Sequence, residues 1–466
     1  MNTKQVFDLS MKPLTDSGNA ERLEAIIGLD WRYVPQIKRW LHWNGKQWQE
    51  TEKAVLYVAA VNAFRILADN IDQLPKAPDE TERDRRVRVI NWLEKSENLS
   101  KVVSALGILE GMLPAEYKDF DNNPYLINVQ NGTINLNNGK LQNHNQSDNI
   151  TKICTVPYDE YPKGLLWVET VKQILPDDGI RRWMQKFIGY CMTGSTQEEK
   201  FVIACGPGGC GKGTFFETIA AVLGDYKAVI PIDILLATGI IEGGNNPTPE
   251  LAKLPGKRYV LSSESGKGRR LDEAKVKLIT GGDIITARRL HAEAFEFRPA
   301  FKLILQTNYM PSITDSLDKG IRRRLVIIPF VAKIEKQNLK LKQELLRPEN
   351  LIECLNWCVE GAKLWKREGL GELPEEAKIT AEKFYAENDL LQQWLDERTE
   401  AEPNGFLRFE VALKDFNNWL SAGGSGVNYQ RKGFSEVMER HGKTKIRRNT
   451  GYGYMGIALK WEDDRR

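Results

Sequence analysis

FVIACGPGGCGKGTFFETIAAVLG, at residues 201–224, joins an apolar run, a glycine-rich turn and a helical pattern in that order. The run 201–205 has the length and composition of a fully buried parallel strand. Glycines at this density let the backbone approach a ligand closely, while Lys212 and the positive end of the helix dipole supply charge for phosphate oxygens. Because the lysine and both flanking elements are in place, the stretch predicts a phosphate-binding loop rather than a ligand-free turn.

The spacing G-x4-G-K satisfies the Walker A rule, with one departure. Gly213 stands where Ser or Thr normally offers a hydroxyl to Mg²⁺, and Thr214 follows one place later. This departure weakens the prediction that the loop binds Mg²⁺ directly, but it does not affect the prediction that the loop binds phosphate. The residues predicted to contact the nucleotide are Gly206, Pro207, Gly208, Gly209, Cys210, Gly211, Lys212, Gly213 and Thr214.

Composition predicts a folded chain of about three domains. The 466 residues are 41% hydrophobic, and the net charge of +3 is so close to neutral that local patches must meet any polyanion. The N-terminus has no apolar signal core, and no membrane is expected as a partner. Six cysteines lie far apart without paired C-x2-C spacing, which favours reduced thiols in a cytoplasm. Cys354 and Cys358 could touch a metal, but core packing is favoured for such a helical pair.

The first part of the chain reads as a mixed, mostly helical unit. LTDSGNAERL (14–23) is typical of a capped helix start, and Asn44-Gly45 predicts a hairpin turn between strands within 31–49. The five aromatic residues of that segment could stack on bases, but a β-element core is favoured. The later predicted elements are helices at 53–72, 87–94 and 98–112 around a charged linker, strands turning at Asn131-Gly132 and Asn138-Gly139, and a helical stretch at 167–193.

Two further apolar strands are predicted to end on polar residues, the first of them beside the phosphate loop. RYVLSSE (258–264) follows a segment, 238–255, predicted to be a mobile loop, and ends on Glu264. A carboxylate there can polarise an attacking water and hold Mg²⁺ through its water shell, although any surface strand can also end on Glu. KLILQTN (302–308) ends on Asn308.

Two clusters of cations flank these strands. The segment 281–297 alternates on both sides of a turn, which predicts a hairpin with Arg288, Arg289 and His291 near its tip. Arg322, Arg323 and Arg324 directly precede a final apolar strand and are candidates for a charge clamp on a γ-phosphate of a neighbouring subunit. Both clusters also fit solvated surface positions.

The C-terminal part has the element order of a winged helix. After a helix at 348–367, a break at 369–374 predicts a domain boundary, and 376–398 predicts one long amphipathic helix. A helix at 410–420, a helix at 432–441 and a hairpin at 443–459 follow. Between residues 430 and 448 seven Lys/Arg face two Glu, which suits phosphates, although a small cap with a solvated basic face is also consistent. The predicted DNA contacts are Lys443, Lys445, Arg447 and Arg448.

With these motifs in order, the chain resembles the superfamily 3 helicases of phages, plasmids and large DNA viruses, in the poxvirus-type primase-helicase branch. RYVLSSE is similar to the family's Walker B strand, and KLITGGDIITARRLH to its motif B-prime. KLILQTNYMP resembles motif C with Asn308 as the sensor, and DKGIRRRLVIIPF resembles the arginine-finger element.

The resemblance implies an α/β fold: an AAA+ P-loop core (166–370) between a helicase-associated domain (1–165) and a C-terminal winged-helix domain (371–466). It implies a ring of usually six identical subunits that binds ATP between neighbours and pulls one strand of single-stranded or forked DNA. Mg²⁺ is expected near Thr214 and Glu264. The expected catalytic residues are Lys212, Glu264, Asn308, Arg323 and Arg324, and Arg288, Arg289 and His291 are expected to contact DNA.

The favoured interpretation is an ATP-driven replicative DNA helicase of a phage, plasmid or mobile element, in the cytoplasm of a bacterial host. No primase module fits upstream, so priming is expected to need a separate primase or initiator, or the chain is a fragment of a longer one. An origin-binding ring that melts DNA without processive unwinding stays open. A nucleotide kinase, suggested by GKGT, is disfavoured because sensor and finger elements follow the loop.

Overall fold

The computed structural model describes residues 1–237, 248–263, 269–288, 294–334, 338–423 and 427–460. The chain begins with two helices, a three-stranded antiparallel sheet and three longer helices. Their bounds are α1 Thr3–Ser10, α2 Asp16–Ile27, β1 Trp31–Val34, β2 Arg39–Trp43, β3 Trp48–Thr51, α3 Lys53–Asp72, α4 Glu80–Ser96 and α5 Leu99–Met112. The predicted cap of α2 is confirmed, because Thr15 Oγ1 accepts the Gly18 N–H at 3.1 Å.

The Asn44-Gly45 step joins β2 to β3 as predicted, and the aromatic residues form core. Trp31, Trp40 and Trp48 are each 3% exposed or less, so these rings are not available as a stacking surface. Helix α3 is long and apolar enough to cross a membrane by length and composition alone. Its inner face is buried against the neighbouring helices, so this feature does not indicate a membrane protein.

The charged stretch predicted as a linker before residue 87 is helical from Glu80, and that prediction was wrong. Asp79 caps α4 by accepting the Glu82 N–H at 2.8 Å. Glu82 pairs with Arg85 at 2.6 Å and with Arg86 at 2.8 Å, one helical turn away. Hydrogen bonds from these two guanidinium groups lower the pKa of Glu82 to about 2. Pairs at this spacing support a helix that has few apolar residues.

A second small sheet follows and packs on the centre of the molecule. It comprises β4 Leu126–Val129, β5 Gly132–Asn135 and β6 Lys140–Gln142, with turns at the two predicted Asn-Gly steps. Ile127 and Ile134 share one buried cluster with Phe216, which belongs to the helix after the phosphate loop. The helical stretch 167–193 is divided at Pro176 into α6 Leu166–Ile174 and α7 Asp178–Met192.

A five-stranded parallel sheet carries the phosphate loop, in a mixed α/β fold as predicted. The elements of this region are β7 Phe201–Cys205, α8 Lys212–Leu223, β8 Lys227–Pro231, β9 Tyr259–Ser263, α9 Glu273–Thr280, β10 Ile285–Arg288, β11 Ala294–Phe297, β12 Lys302–Thr307, α10 Lys319–Arg324 and β13 Leu325–Pro329. The strand order is β13-β7-β12-β9-β8. Because β12 lies between β7 and β9, the carboxyl ends of these three strands meet at one edge. Strand β8 was not predicted.

The remaining elements are α11 Leu341–Leu345, α12 Pro348–Glu368, α13 Glu375–Glu387, α14 Leu390–Arg398, β14 Thr399–Arg408, α15 Phe409–Ala422, α16 Arg431–Arg440, β15 Lys445–Arg448 and β16 Gly451–Leu459. The single helix predicted at 376–398 is wrong, because the chain breaks at Asn388-Asp389. Asn388 Oδ1 accepts the Ile313 N–H at 2.9 Å, and Asp389 caps α14 by accepting the Gln392 N–H at 3.0 Å. Helix α13 buries Ala381, Phe384 and Tyr385 against the parallel sheet.

The C-terminal unit has the predicted two helices and hairpin around its own core. Trp394, Phe416 and Phe434 are fully buried together. Strand β14, which was not predicted, pairs with β16 and completes a three-stranded sheet of order β14-β16-β15. The unit therefore has the order helix, strand, helix, helix, strand, strand.

A partly buried hydrogen bond between His441 and Asp389 joins the end of α16 to the start of α14. His441 Nε2 lies 2.9 Å from Asp389 Oδ1, and its side chain is 8% exposed. Burial alone would lower the pKa of His441, but the hydrogen bond and charge of Asp389, with the Val437 carbonyl, raise it above its ordinary value. Burial alone would raise the pKa of Asp389, but His441 and the Gln392 N–H lower it.

This pair predicts a pH dependence of stability. A histidine whose folded pKa is raised stabilises the fold fully below its unfolded pKa, and that stabilisation is lost as pH rises through the folded value. Thermal unfolding from about pH 5.5 to about pH 9 should show this loss in the wild type, and His441→Gln should remove it. His144→Gln, at a histidine that contacts the Val129 carbonyl, should keep the wild-type profile. An unchanged profile in His441→Gln would contradict the assignment.

Candidate nucleotide site and nucleic-acid surfaces

The phosphate loop passes between two packed elements at positions where only glycine fits. A Cβ atom on Gly206 would lie 2.2 Å from the Phe330 carbonyl oxygen, which follows β13. Gly211 has φ +91° and precedes α8, and its Cβ would lie 2.6 Å from Ile174 Cγ1 at the end of α6. Both glycines let the backbone turn tightly from β7 into α8.

Lys212 and Asn308, which sequence reasoning assigned to one site, lie in contact. The ammonium of Lys212 donates to the carbonyl oxygens of Gly206 at 2.7 Å and Pro207 at 3.0 Å, and to Asn308 Oδ1 at 3.0 Å. Asn308 follows β12, whose Thr307 pairs with Cys205 of β7. The neighbouring strands therefore bring an amide oxygen to the lysine that is predicted to meet phosphate.

The implied Mg²⁺ can be tested against the side chains of this edge. Gly213 lacks a hydroxyl, and a Cβ atom placed on it would lie 3.2 Å from Glu217 Oε1 and 3.8 Å from Lys342 Nζ. Thr214 lies in the first turn of α8, and Glu264 lies outside the described residues. Among the residues that the structure describes, no three His, Cys, Asp or Glu side chains form a cluster. The carboxylate of Glu217, beside Gly213, is a suitable Mg²⁺ ligand, because this ion is usually held by one or two carboxylates together with substrate phosphates and several waters.

Arg323 and Arg324 lie at the amino ends of the parallel strands, whereas the phosphate loop lies at their carboxyl ends. Leu325 of β13 pairs with Phe201 of β7, so the arginines precede the sheet where β7 begins. The phosphate loop follows the other end of β7, separated from them by roughly 16 Å of strand. A single chain therefore does not bring these arginines to its own Lys212.

Glu199 holds the two arginines, and sequence reasoning missed it. One of its carboxylate oxygens lies 2.5 Å from Arg323 Nη2 and 2.9 Å from Arg324 Nη2. The side chain of Arg323 is 61% exposed, whereas that of Arg324 is 11% exposed, so Arg323 is the one that can reach another molecule. Lys200 donates to the Arg323 carbonyl at 2.7 Å. The acidic pair 198–199 before the apolar strand was the available signal.

The predicted hairpin exists as β10 and β11, with Arg288 paired to Ala294 at its outer end. Arg288 is exposed, and its backbone N–H donates to Thr248 Oγ1 at 3.0 Å. Arg289 and His291, the other predicted DNA contacts of this hairpin, lie outside the described residues.

The cations of the C-terminal hairpin lie against aromatic rings on both faces of its sheet. Lys445 and Arg447 lie 5.4 Å and 5.9 Å from the ring centre of Tyr452, which is 53% exposed. Arg448 points to the other face, 5.2 Å from the Phe406 ring. Lys443 precedes the hairpin after the Gly442 turn. Tyr452 was not predicted as part of this surface, although alternation in GYGY (451–454) offered a signal.

Two family models match consecutive parts of the chain. The model described as "D5 N terminal like" matches residues 20–185, and the model described as "Family of unknown function (DUF5906)" matches residues 204–324.

The chain is similar to several viral proteins whose names refer to helicases or primases. A "Putative helicase" of Acanthamoeba polyphaga mimivirus is 28% identical over 333 residues, which cover 67% of the chain and 34% of that protein. A "Putative helicase" of Invertebrate iridescent virus 3 is 24% identical, covering 75% of the chain and 41% of that protein. A "Putative primase" of African swine fever virus is 29% identical, covering 44% and 22%. The chain thus spans less than half the length of these relatives.

Among solved structures, the apo structure of the NrS-1 C-terminal region (305–718) covers 94% of the chain and 99% of its own, with a TM-score of 0.49 and 11% identity.

Proposed function

The chain belongs to the superfamily 3 helicase-type primase-helicase family, and from this premise we propose that it is an ATP-driven replicative DNA helicase. The observation that carries the proposal is the contact of Lys212 with Asn308 at the carboxyl edge of the parallel sheet. A lysine of a phosphate loop stabilises charge on the transferred phosphoryl group, and an amide on the next strand can respond to the state of that group. This arrangement suits a protein that couples nucleotide hydrolysis to movement.

The proposed assembly is an AAA+ ring, usually of six subunits, with ATP and Mg²⁺ between neighbours. Arg323 lies at the amino ends of the parallel strands and Lys212 at their carboxyl ends, and this placement supports the proposal. An arginine that cannot reach the site of its own subunit can complete the site of a neighbouring subunit. The hairpin of β10 and β11 is proposed to line the channel and contact phosphates of one DNA strand, with Arg288 at the described end of the hairpin.

The C-terminal unit is proposed to be a winged-helix domain that contacts DNA. Its order of helices and strands supports this, as do the cations of β15 beside an exposed tyrosine. Such cations contact phosphates without reading sequence, while an aromatic ring can stack on an unpaired base.

The experiment that tests the proposed function is strand displacement on a forked DNA duplex. We expect the protein to separate the strands when ATP is hydrolysed, and to fail with a non-hydrolysable analogue. ATP-dependent binding and local melting of a duplex without displacement of a long strand would support an origin-binding ring instead. No effect of ATP on either DNA substrate would reject both functions.

The C-terminal cations predict a change in the salt dependence of duplex binding. Replacing Lys443, Lys445, Arg447 and Arg448 by glutamine should lower the slope of log affinity against log salt by about 0.9 for each cation that contacts a phosphate. Basal ATP hydrolysis should be largely retained, because the unit has its own core. Binding measured by fluorescence anisotropy at several salt concentrations gives the slope.

The control for this prediction removes the same charge from exposed lysines elsewhere. Those lysines are Lys53, Lys118, Lys378 and Lys383, each of which pairs with a glutamate on the surface. The control variant should retain the wild-type slope. A wild-type slope in the hairpin variant would mean that the C-terminal unit is a structural cap.

A further inference from the structure

The carboxylate of Glu217 lies where the helix after the phosphate loop lacks its usual hydroxyl. Glu217 is one helical turn beyond Gly213, and side chains of a helix lean toward its N-terminus. The carboxylate reaches back, so that its Oε1 lies 3.2 Å from the position of a Cβ atom on Gly213. A serine at 213 would direct its hydroxyl into this same neighbourhood.

A positive charge already occupies this neighbourhood. Lys342 of α11 places its ammonium 2.9 Å from Glu217 Oε2 and 3.8 Å from the same Cβ position. The two side chains are 57% and 61% exposed, and a pair so exposed contributes little to stability. The pair shows instead that a cation beside Gly213 contacts a carboxylate that is exposed to solvent.

We propose that Glu217 supplies the protein oxygen for the Mg²⁺ of the bound nucleotide, directly or through a metal-bound water, in place of the hydroxyl that Gly213 lacks. Lys342 is then the counter-ion of Glu217 when no metal is bound. This assignment rests on the proposed function, because the metal arrives with a nucleotide held by the phosphate loop.

The chemistry of Mg²⁺ suits this arrangement. The ion prefers oxygen ligands, loses its waters reluctantly, and is commonly held by one or two carboxylates together with substrate phosphates. An exposed carboxylate on the second turn of α8 can meet a largely hydrated ion without being desolvated.

The test measures metal binding itself, with Mn²⁺ as the probe. The full chain is saturated with a non-hydrolysable ATP analogue, and free Mn²⁺ is followed by electron paramagnetic resonance. Glu217→Gln should weaken Mn²⁺ binding to this complex by about tenfold or more, the loss typical of removing a supporting ligand. Affinity for the analogue without metal should remain that of the wild type. Lys342→Met should strengthen Mn²⁺ binding, because it removes the competing cation.

A second variant tests the replacement directly. Gly213→Ser, added to Glu217→Gln, should restore most of the Mn²⁺ affinity, because it returns the hydroxyl that the loop lacks. Gly213 lies in the first turn of α8 with no positive φ, so a serine fits the backbone there. The matched control is Glu360→Gln, which removes another exposed carboxylate paired with a lysine, Lys363 on α12. The control should bind Mn²⁺ as the wild type does.

Three outcomes would overturn the assignment. They are wild-type Mn²⁺ affinity in Glu217→Gln, an equal loss of affinity for the analogue without metal, and a loss that Gly213→Ser does not reduce. Failure of the wild type to bind the analogue at all would instead reject the proposed function, so the two failures are distinguishable.

Discussion

Alanine at position 212 is expected to reduce ATP hydrolysis by at least about 10²- to 10³-fold, the cost of removing one preorganised charge or donor from a transition state. The ammonium of Lys212 lies within the phosphate loop, where it donates to two loop carbonyls and to Asn308. A bound phosphate would compete with these oxygens for the ammonium of Lys212. Alanine has no positive charge to offer the phosphate. The fold should persist, because alanine is the best helix former and the position is the first of α8.

Phosphate release under saturating ATP measures the loss, and thermal unfolding checks the fold. Lys378→Ala is the control, since it removes an exposed lysine that pairs with Glu372 on the surface. The control should hydrolyse ATP at the wild-type rate. If a folded Lys212→Ala protein did the same, the loop would not be the nucleotide site.

Loss of Arg323 is expected to cost about 10³- to 10⁵-fold in hydrolysis rate, the usual contribution of an arginine finger. The structure favours Arg323 over Arg324 for this role, because Arg324 is largely buried against Glu199. Neither arginine lies near the Lys212 of its own chain. The effect should therefore appear between subunits.

Mixing two inactive proteins tests this directly. Arg323→Ala removes the arginine that a subunit contributes to the site of its neighbour, and Lys212→Ala removes the lysine of a subunit's own site. Some sites in a mixed assembly keep both residues, so mixing should restore part of the activity. Lys319→Ala, on the exposed side of the same short helix, is the control and should stay fully active. If no mixing ratio restores hydrolysis, the site is not shared between subunits.

Local patterns predicted the elements that depend on neighbouring residues. The strand at 201–205 has its predicted bounds, and the turn at Asn44-Gly45 lies where expected. The family resemblance implied that Lys212 and Asn308 share one site, and the two side chains lie in contact, with Lys212 Nζ 3.0 Å from Asn308 Oδ1.

Features that depend on partners far along the chain could not be predicted. Glu199 meets Arg323 across 124 positions, and Glu217 meets Lys342 across 125. In the sequence Glu217 resembles an ordinary surface residue, and the acidic pair 198–199 does not indicate which residues Glu199 contacts. The break at Asn388 likewise depends on a hydrogen bond from Ile313. Composition of the stretch 376–398 alone favours an unbroken helix.

The placement of Arg323 and the phosphate loop at opposite edges of one sheet has a consequence for counting. If each site needs Lys212 of one subunit and Arg323 of the next, subunits must associate head to tail. An open row of subunits then always has one phosphate loop that no neighbouring arginine reaches. A row of two subunits has one complete site and one incomplete site. In a longer row the fraction of incomplete sites is smaller. Closure into a ring completes the last site. Hydrolysis per subunit should therefore rise with protein concentration, and only a closed ring reaches the full rate with a small, fixed number of subunits.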